Sequence, residues 1–424
     1  MTRSVSQTGD AALADALTSR FLRYVRIETT SDRHVEATPS TPGQWDLAKL
    51  LAEELRGLGL KDVELTAHCY VIARLPASPG KALLPAVGFL AHLDTSGDAP
   101  GRDVTPCVVE KYDGGRIGLA DGLVLDPEAD PGLAAQKGGT VIHTDGTTLL
   151  GADDKAGIAE IMTATEYLLN HPEIEHGPVE IIFSPDEETG KGLPEFPLET
   201  IKAAACYTLD GGPLGEFEAE CFNAYGAEVR FTGKVIHPGA ARGRLVNAAL
   251  MSASFAALLP RNESPEATDG YYGYYCLTEI RGNHEEAFLE LIIRDFDRRE
   301  AKRRVTTLES FARTVEAQFP GGRACVSAKL QYCNMREKIE ARPEVMEILK
   351  TAARNTGVEF RLKPIRGGTD GSRLTELGIP TPNIFTGGRN FHSRIEWVSV
   401  PEMTAACKIV IELVRLWGME RAAG

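Results

Sequence analysis

Short apolar runs that end in acidic residues, alternating with segments of helical periodicity, constrain this chain more than any other feature. "LLPAVGFLAHLDT" runs into His92 and Asp94, "VEIIFSPDEETGKG" into Asp186, Glu187 and Glu188, and "ACYTLDGG" into Asp210. Around them "DALTSRFLRYVRI" and "QWDLAKLLAEELRGLG" carry helical spacing, the second stopped by glycine. "IAEIMTATEYLLNHP" sets Ile158, Ile161, Met162, Leu168 and Leu169 on one helical face before Pro172. Such alternation predicts an α/β fold, a mostly parallel sheet covered by helices. Ligands of these sheets collect at the carboxyl ends of the strands, where the acids lie.

The middle of the chain follows another pattern. From 222 to 333 the order is strand "AEVRFTGKV", helix "LVNAALMSASFAALL", strands "GYYCLTEIRG" and "EAFLELIIRDFD", a long helix over 299–318, and strand "ACVSAKLQYC". That is an α+β unit with an antiparallel sheet, inserted into the first domain. The expected division is therefore 1–221, the first part of a catalytic domain; 222–333, the insert; and 334–424, the second part. The turn-rich stretch 96–137 reads as a long surface excursion.

With 424 residues the chain is long for one core, which favours more than one domain. A net charge of −14 opposes a nucleic-acid partner, and no apolar run reaches membrane-spanning length. The opening "MTRSVSQTGDAALADALTSRF" lacks the apolar core of a signal peptide. Eight cysteines without a CxxC pair read as reduced thiols, so a cytoplasmic location is expected.

"LLGADDKAG" places Asp153 beside Asp154 where a strand end meets a helix start. Burying neighbouring carboxylates costs several kcal/mol unless something compensates. A helix cap plus a first-turn acid is the modest explanation. A cation is the sharper one. His92 and Asp94, two residues apart, share one side of an extended strand. With Asp153, Asp154, Asp186, Glu187, Glu188, Asp210 and His392 of "GGRNFHSRIEW", they put imidazole and carboxylate groups at five strand ends or turns. Such a set suits zinc, with cobalt or manganese as chemical neighbours.

HLD, LLGADDKAG, PDEE, LDGG, HPG and the late RGGTDGS…FTGG…FH segments, in this order, resemble the peptidase T family. These are tripeptide aminopeptidases of the di-zinc aminoacylase/carboxypeptidase superfamily. The resemblance runs from the first helix to about Pro401, and the insert falls where the family carries its lid and dimerisation domain. It implies two zinc ions per subunit. Asp154 would bridge them, His92 and Asp210 would complete one site, and Glu188 and His392 the other. Asp153 is left to cap the helix or brace its turn, and the peptide joining such a pair is often cis in the superfamily. Asp94 would orient the His92 imidazole and Glu187 would serve as general base.

The resemblance further implies short peptides as substrates, mainly tripeptides cut after the first residue. Arg294 and Arg366 are the candidates to hold a terminal carboxylate, since a guanidinium pairs carboxylate bidentately. An ion pair of Arg294 with Asp295 or Asp297 is the competing reading. Asn390 joins the substrate-binding set. Arg389 departs from the uncharged residue the family usually places before that asparagine, which bears on the subsite for the free amine. His237 of "KVIHPGAARG" is either a turn histidine or, by resemblance to dimeric relatives, a donor to the partner's site across a homodimer. Two other classes stay open: another superfamily amidohydrolase, such as a dipeptidase or an N-acyl-amino-acid deacylase, and a non-catalytic binding protein on the same fold.

Overall fold

The computed structural model describes residues 7–190 and 192–419. The chain divides into two compact units: Met1–Ala219 with Lys338–Lys363 and Thr369–Gly424, and Glu220–Glu337 with Pro364–Gly368. Residues 364–368, which the sequence reading gave to the final catalytic segment, thus cluster with the second unit.

The largest sheet has eight strands, in the order Asp62–Leu65, Val71–Leu75, Val179–Ser184, Ala86–His92, Ala203–Gly211, Asn383–Phe385, Glu216–Cys221 and Arg361–Ile365. Its centre is parallel, from Val179–Ser184 across to Asn383–Phe385. Antiparallel pairs flank that centre, so the sheet is mixed rather than mostly parallel. The short link from Leu65 to Val71 explains one flank, because it leaves no room for the crossover that parallel pairing needs.

Both faces of the sheet are buried. Val87, Phe89 and Ala91 pack with Phe21, Ile158, Met162 and Val414 in one core, whereas Leu90, Ile182 and Cys206 meet Phe196 and Leu374 in another. Burial on both sides is why these strands read as unbroken apolar runs. The helix Ala152–Asn170 lies hard against the strand Ala203–Gly211. A Cβ at Gly157 would stand 2.0 Å from the Leu209 carbonyl oxygen, so the close approach requires glycine there.

The stretch 96–137, mostly exposed or half-buried, contributes one strand to a second sheet. Its strand Pro106–Val109 pairs with Val141–Thr144, which pairs in turn with Trp397–Ser399 from the end of the chain. In the second unit, four antiparallel strands in the order Tyr274–Gly282, Glu286–Asp295, Asn223–Thr232 and Arg323–Tyr332 carry the helices Ala248–Leu258 and Arg298–Gln318. Val229, Phe231, Leu289, Leu291 and Ile293 pack with Phe255, Leu308 and Val315 to form its core. Asp297 caps the longer helix by accepting from the N–H groups of Arg299 and Glu300. Among the described residues, no helix is long and apolar enough to cross a membrane.

Candidate metal centre

The strand Ala86–His92 runs parallel to Val179–Ser184, with His92 opposite Ser184. The turns that follow therefore emerge side by side at the carboxyl end of the sheet. His92 is 2 % exposed. Its Nε2 lies 2.8 Å from Asp153 Oδ1 and 3.6 Å from Asp210 Oδ1, while Nδ1 is 3.1 Å from the Asp94 carbonyl oxygen. Across Asp153, His392 Nε2 sits 3.3 Å from the other carboxylate oxygen and 2.9 Å from Glu188 Oε1. Two groups of possible ligand atoms result, His92–Asp153–Asp210 and Asp153–Glu188–His392, each with its atoms within 4.8 Å of one another. Asp153 belongs to both.

This corrects the expectation for Asp154. Its side chain is fully buried and belongs to neither group, with Oδ2 accepting from the His92 backbone N–H at 3.1 Å. The backbone at Asp153 and Asp154 is itself non-helical, and no side-chain cap is described at Gly151, where the helix Ala152–Asn170 begins. Of these two consecutive carboxylates, one joins both ligand groups and the other accepts from the backbone of the neighbouring strand. The sequence order alone does not say which. The Asp153–Asp154 peptide is cis.

Asp94, fully buried, accepts from the backbone N–H groups of Glu187 at 3.0 Å and Glu188 at 3.1 Å, and its Oδ1 is 3.4 Å from His92 Nδ1. One carboxylate thus fixes both the imidazole and the short turn Glu187–Thr189. The residue before that turn, Asp186, has a left-handed φ of 58°. Its carboxylate accepts from Ser40 N at 2.7 Å and Gln44 Nε2 at 2.7 Å, tying the turn to the segment that opens the helix Gly43–Gly57. Sequence reasoning missed these anchors. It also missed Asp98, whose Oδ2 lies 3.2 Å from His392 Nδ1. An acid in the same loop as Asp94 was the available signal. A cleft of about 400 Å³ opens beside Glu188 and His392, walled by residues 31–34 and 96–98 with Thr189.

The electrostatics test whether cations fit. Burial acts to raise the Asp153 carboxyl, but hydrogen bonds from His392 and His92 hold it below the usual carboxylate range. Burial first, then like charges, push Glu188 up to about 8 and Asp210 up to about 6, and raise Glu187 and Asp154 well above normal. Hydrogen bonds to Asp153 and Glu188 push the His392 imidazole up to about 11. Asp154 Oδ1 is buried without a hydrogen-bond partner. A cation in each group would relieve this crowding of carboxylates, and the mix of imidazole nitrogen and carboxylate oxygen suits a first-row divalent ion. The residues fit.

The remaining predicted site residues belong to neither of these two groups. Arg366 donates to the carbonyls of Gly270, Tyr272 and Thr268 and stacks over Phe222 and Tyr274. Arg294 Nη1 donates to the carbonyls of Tyr225 and Ile293, and its guanidinium lies over Tyr332. It makes no described ion pair with Asp295 or Asp297; Asp295 pairs instead with Arg304 at 3.0 Å. Arg389 Nη2 donates to both carboxylate oxygens of Glu402, and its guanidinium lies over Trp397. Asn390, at φ 55°, donates to Asp130 and to the Ile395 carbonyl. His237 is exposed in the second unit, its Nδ1 accepting from Gly239 N at 3.1 Å.

Two acid–imidazole groups that share one aspartate at the carboxyl end of the sheet form a candidate dinuclear metal centre. The chain belongs to peptidase family M20/M25/M40, whose pattern matches residues 141–416. Within it, the relatives carry a more particular name. Peptidase T of Geobacillus sp. (strain WCH70) is 48% identical over 407 residues, covering 96% of this chain and 99% of the relative. Peptidase T of Bacillus subtilis (strain 168) is 45% identical over 405 residues, covering 95% and 98%. Among solved structures, the aminopeptidase PepT from Bacillus cereus ATCC 10987 superposes with a TM-score of 0.73 at 23% identity, over 96% of this chain and 99% of that one. A tripeptidase from Staphylococcus aureus subsp. aureus Mu50 gives 0.76 at 22%, over 96% and 98%.

Proposed function

We propose that this chain is a tripeptide aminopeptidase that uses two zinc ions per subunit, with cobalt or manganese as possible substitutes. The observation that carries the reading is Asp153 shared by two donor groups while Glu187 stands on the same Asp94-held turn as Glu188. Near-full-length identity to proteins named Peptidase T supports the substrate class. His92 and Asp210 would hold one ion, Glu188 and His392 the other, and Asp153 both. Such a pair, when bound, lowers the pKa of water toward about 7 and polarises a carbonyl.

The protein's own groups do the rest. Glu187 takes the proton of the attacking water and delivers it to the leaving amine. Asp94 keeps Glu187 and His92 in register. Residues 222–333 act as lid and dimerisation domain, and His237 donates to the developing oxyanion in the partner's site. The eight free cysteines support a reducing, cytoplasmic compartment.

The test is a product profile on a tripeptide, a dipeptide and an N-acetylated amino acid. Release of the first residue from the tripeptide is expected, with Glu187→Gln keeping its metal and losing about 10²–10⁴ in turnover. Preference for the dipeptide or the acylated amino acid would make the chain a dipeptidase or deacylase on the same centre. Near-normal turnover in Glu187→Gln would remove that residue from the mechanism.

A further inference from the structure

The loop that carries Asp153 is held by a carboxylate from the far end of the chain. Glu396 is 1 % exposed. Its Oε2 accepts from Leu150 N at 2.7 Å and Gly151 N at 2.8 Å, and its Oε1 accepts from Asp153 N at 3.2 Å. Gly151 has a left-handed φ of 78°, the conformation that turns successive backbone N–H groups toward one point and makes an anion-binding hollow. Here the anion is the protein's own. These backbone donors are the described hydrogen-bond partners of the Glu396 carboxylate, whose charge also acts on the buried Lys155.

Glu396 also stands four residues after His392 and directly precedes the strand Trp397–Ser399, which is paired to Val141–Thr144. One side chain therefore joins the segment bearing His392 to the backbone of Asp153, the two groups that face each other at 3.3 Å. Neither hydrophobic patterning nor the strand-end acids singled it out.

We propose that Glu396 is a positioning residue for the metal centre: by filling the hollow at 150–153 it fixes Asp153 against His392, and so sets how tightly the centre binds divalent cations. This rests on the di-metal reading above. Glu396→Gln keeps the size of the side chain but turns an NH₂ group toward backbone N–H donors, so at least one of the three bonds is lost. Groups that orient ligands from behind are worth about 10–100-fold in metal affinity.

The test titrates the metal-free full-length protein with Zn²⁺ alone by calorimetry and compares three variants. Glu396→Gln should bind Zn²⁺ about 10- to 100-fold more weakly. Glu396→Asp, which keeps the charge but withdraws it by one methylene, should fall between that variant and the parent, and it carries the test if the amide variant does not fold. Glu180→Gln is the control. That carboxylate is equally buried and accepts from Lys202 N at 3.0 Å and Ala203 N at 2.8 Å, but it lies toward the opposite end of the strand Val179–Ser184. It should lower the unfolding temperature and leave Zn²⁺ affinity unchanged. Unaltered affinity in the Glu396 variants, or an equal loss in Glu180→Gln, overturns the proposal. If the parent protein binds no Zn²⁺, the di-metal reading itself fails and takes this inference with it.

Discussion

Replacing Asp94 by Asn isolates one carboxylate whose several tasks are all visible in the geometry. It accepts from Glu187 N at 3.0 Å and Glu188 N at 3.1 Å, with His92 Nδ1 3.4 Å away. An amide retains one acceptor oxygen, so its NH₂ must confront one of those backbone donors. A hydrogen bond to a charged group is worth about 1.5–3 kcal/mol, and at ~1.4 kcal/mol per tenfold the loss of one corresponds to about 10- to 150-fold. Because Asp94 is fully buried, water cannot substitute. The turn Glu187–Thr189 should therefore leave its working position in most molecules. Steady-state kinetics on a tripeptide should show kcat lower by about 10- to 100-fold with KM little changed, and Zn²⁺ should bind more weakly, as for other groups behind a metal ligand. Glu187→Gln, by contrast, should lose turnover and keep its affinity. A change below threefold in both measurements for Asp94→Asn would refute the idea that this carboxylate holds the turn.

Two more consequences follow from groups away from the centre. Burial, with the nearby Asp154 charge adding to it, raises the Glu160 carboxyl well above its usual range, and both of its oxygens lack partners. A group raised on folding adds stability below its unfolded pKa, near 4.3, and loses it as pH climbs toward the folded value. Glu160→Gln should thus raise the unfolding temperature at pH 8 and change it little at pH 4; an equal shift at both would contradict the assignment. For His237, the exposed imidazole predicts a His237→Ala variant that keeps its metal and loses about 10²–10³ in turnover. Mixed with Glu187→Gln chains it should recover activity, since each heterodimer would own one complete site. No recovery after verified subunit exchange would place His237 outside the partner's centre.

Much of the fold was legible because the central strands are buried on both faces and end in polar residues. The flanking antiparallel strands were not, since a short strand such as Asp62–Leu65 carries no mark of direction until its five-residue link is measured. The second sheet hid inside a stretch rich in Gly, Pro and Asp, because its strand Pro106–Val109 finds partners far away in sequence. At the centre, the strand-end acids and the two histidines stood out by residue type and place. The choice between Asp153 and Asp154 did not, because it depends on which side chain projects from the loop that Glu396 grips. The surroundings of Arg366 and Arg389 were hidden for a related reason: a guanidinium's chemistry is readable from sequence, but the carbonyls, Glu402 and aromatic rings beside it come from segments folded against it.

The claim on which the account turns is that Asp153 is shared by two cations. Equilibrium dialysis against Zn²⁺, with metal content counted per chain, tests it directly on the parent protein, Asp153→Asn and Asp154→Asn. The account predicts two ions in the parent, loss or severe weakening of both in Asp153→Asn, and two retained in folded Asp154→Asn. Two tightly held ions in Asp153→Asn, or emptying by Asp154→Asn alone, would contradict it.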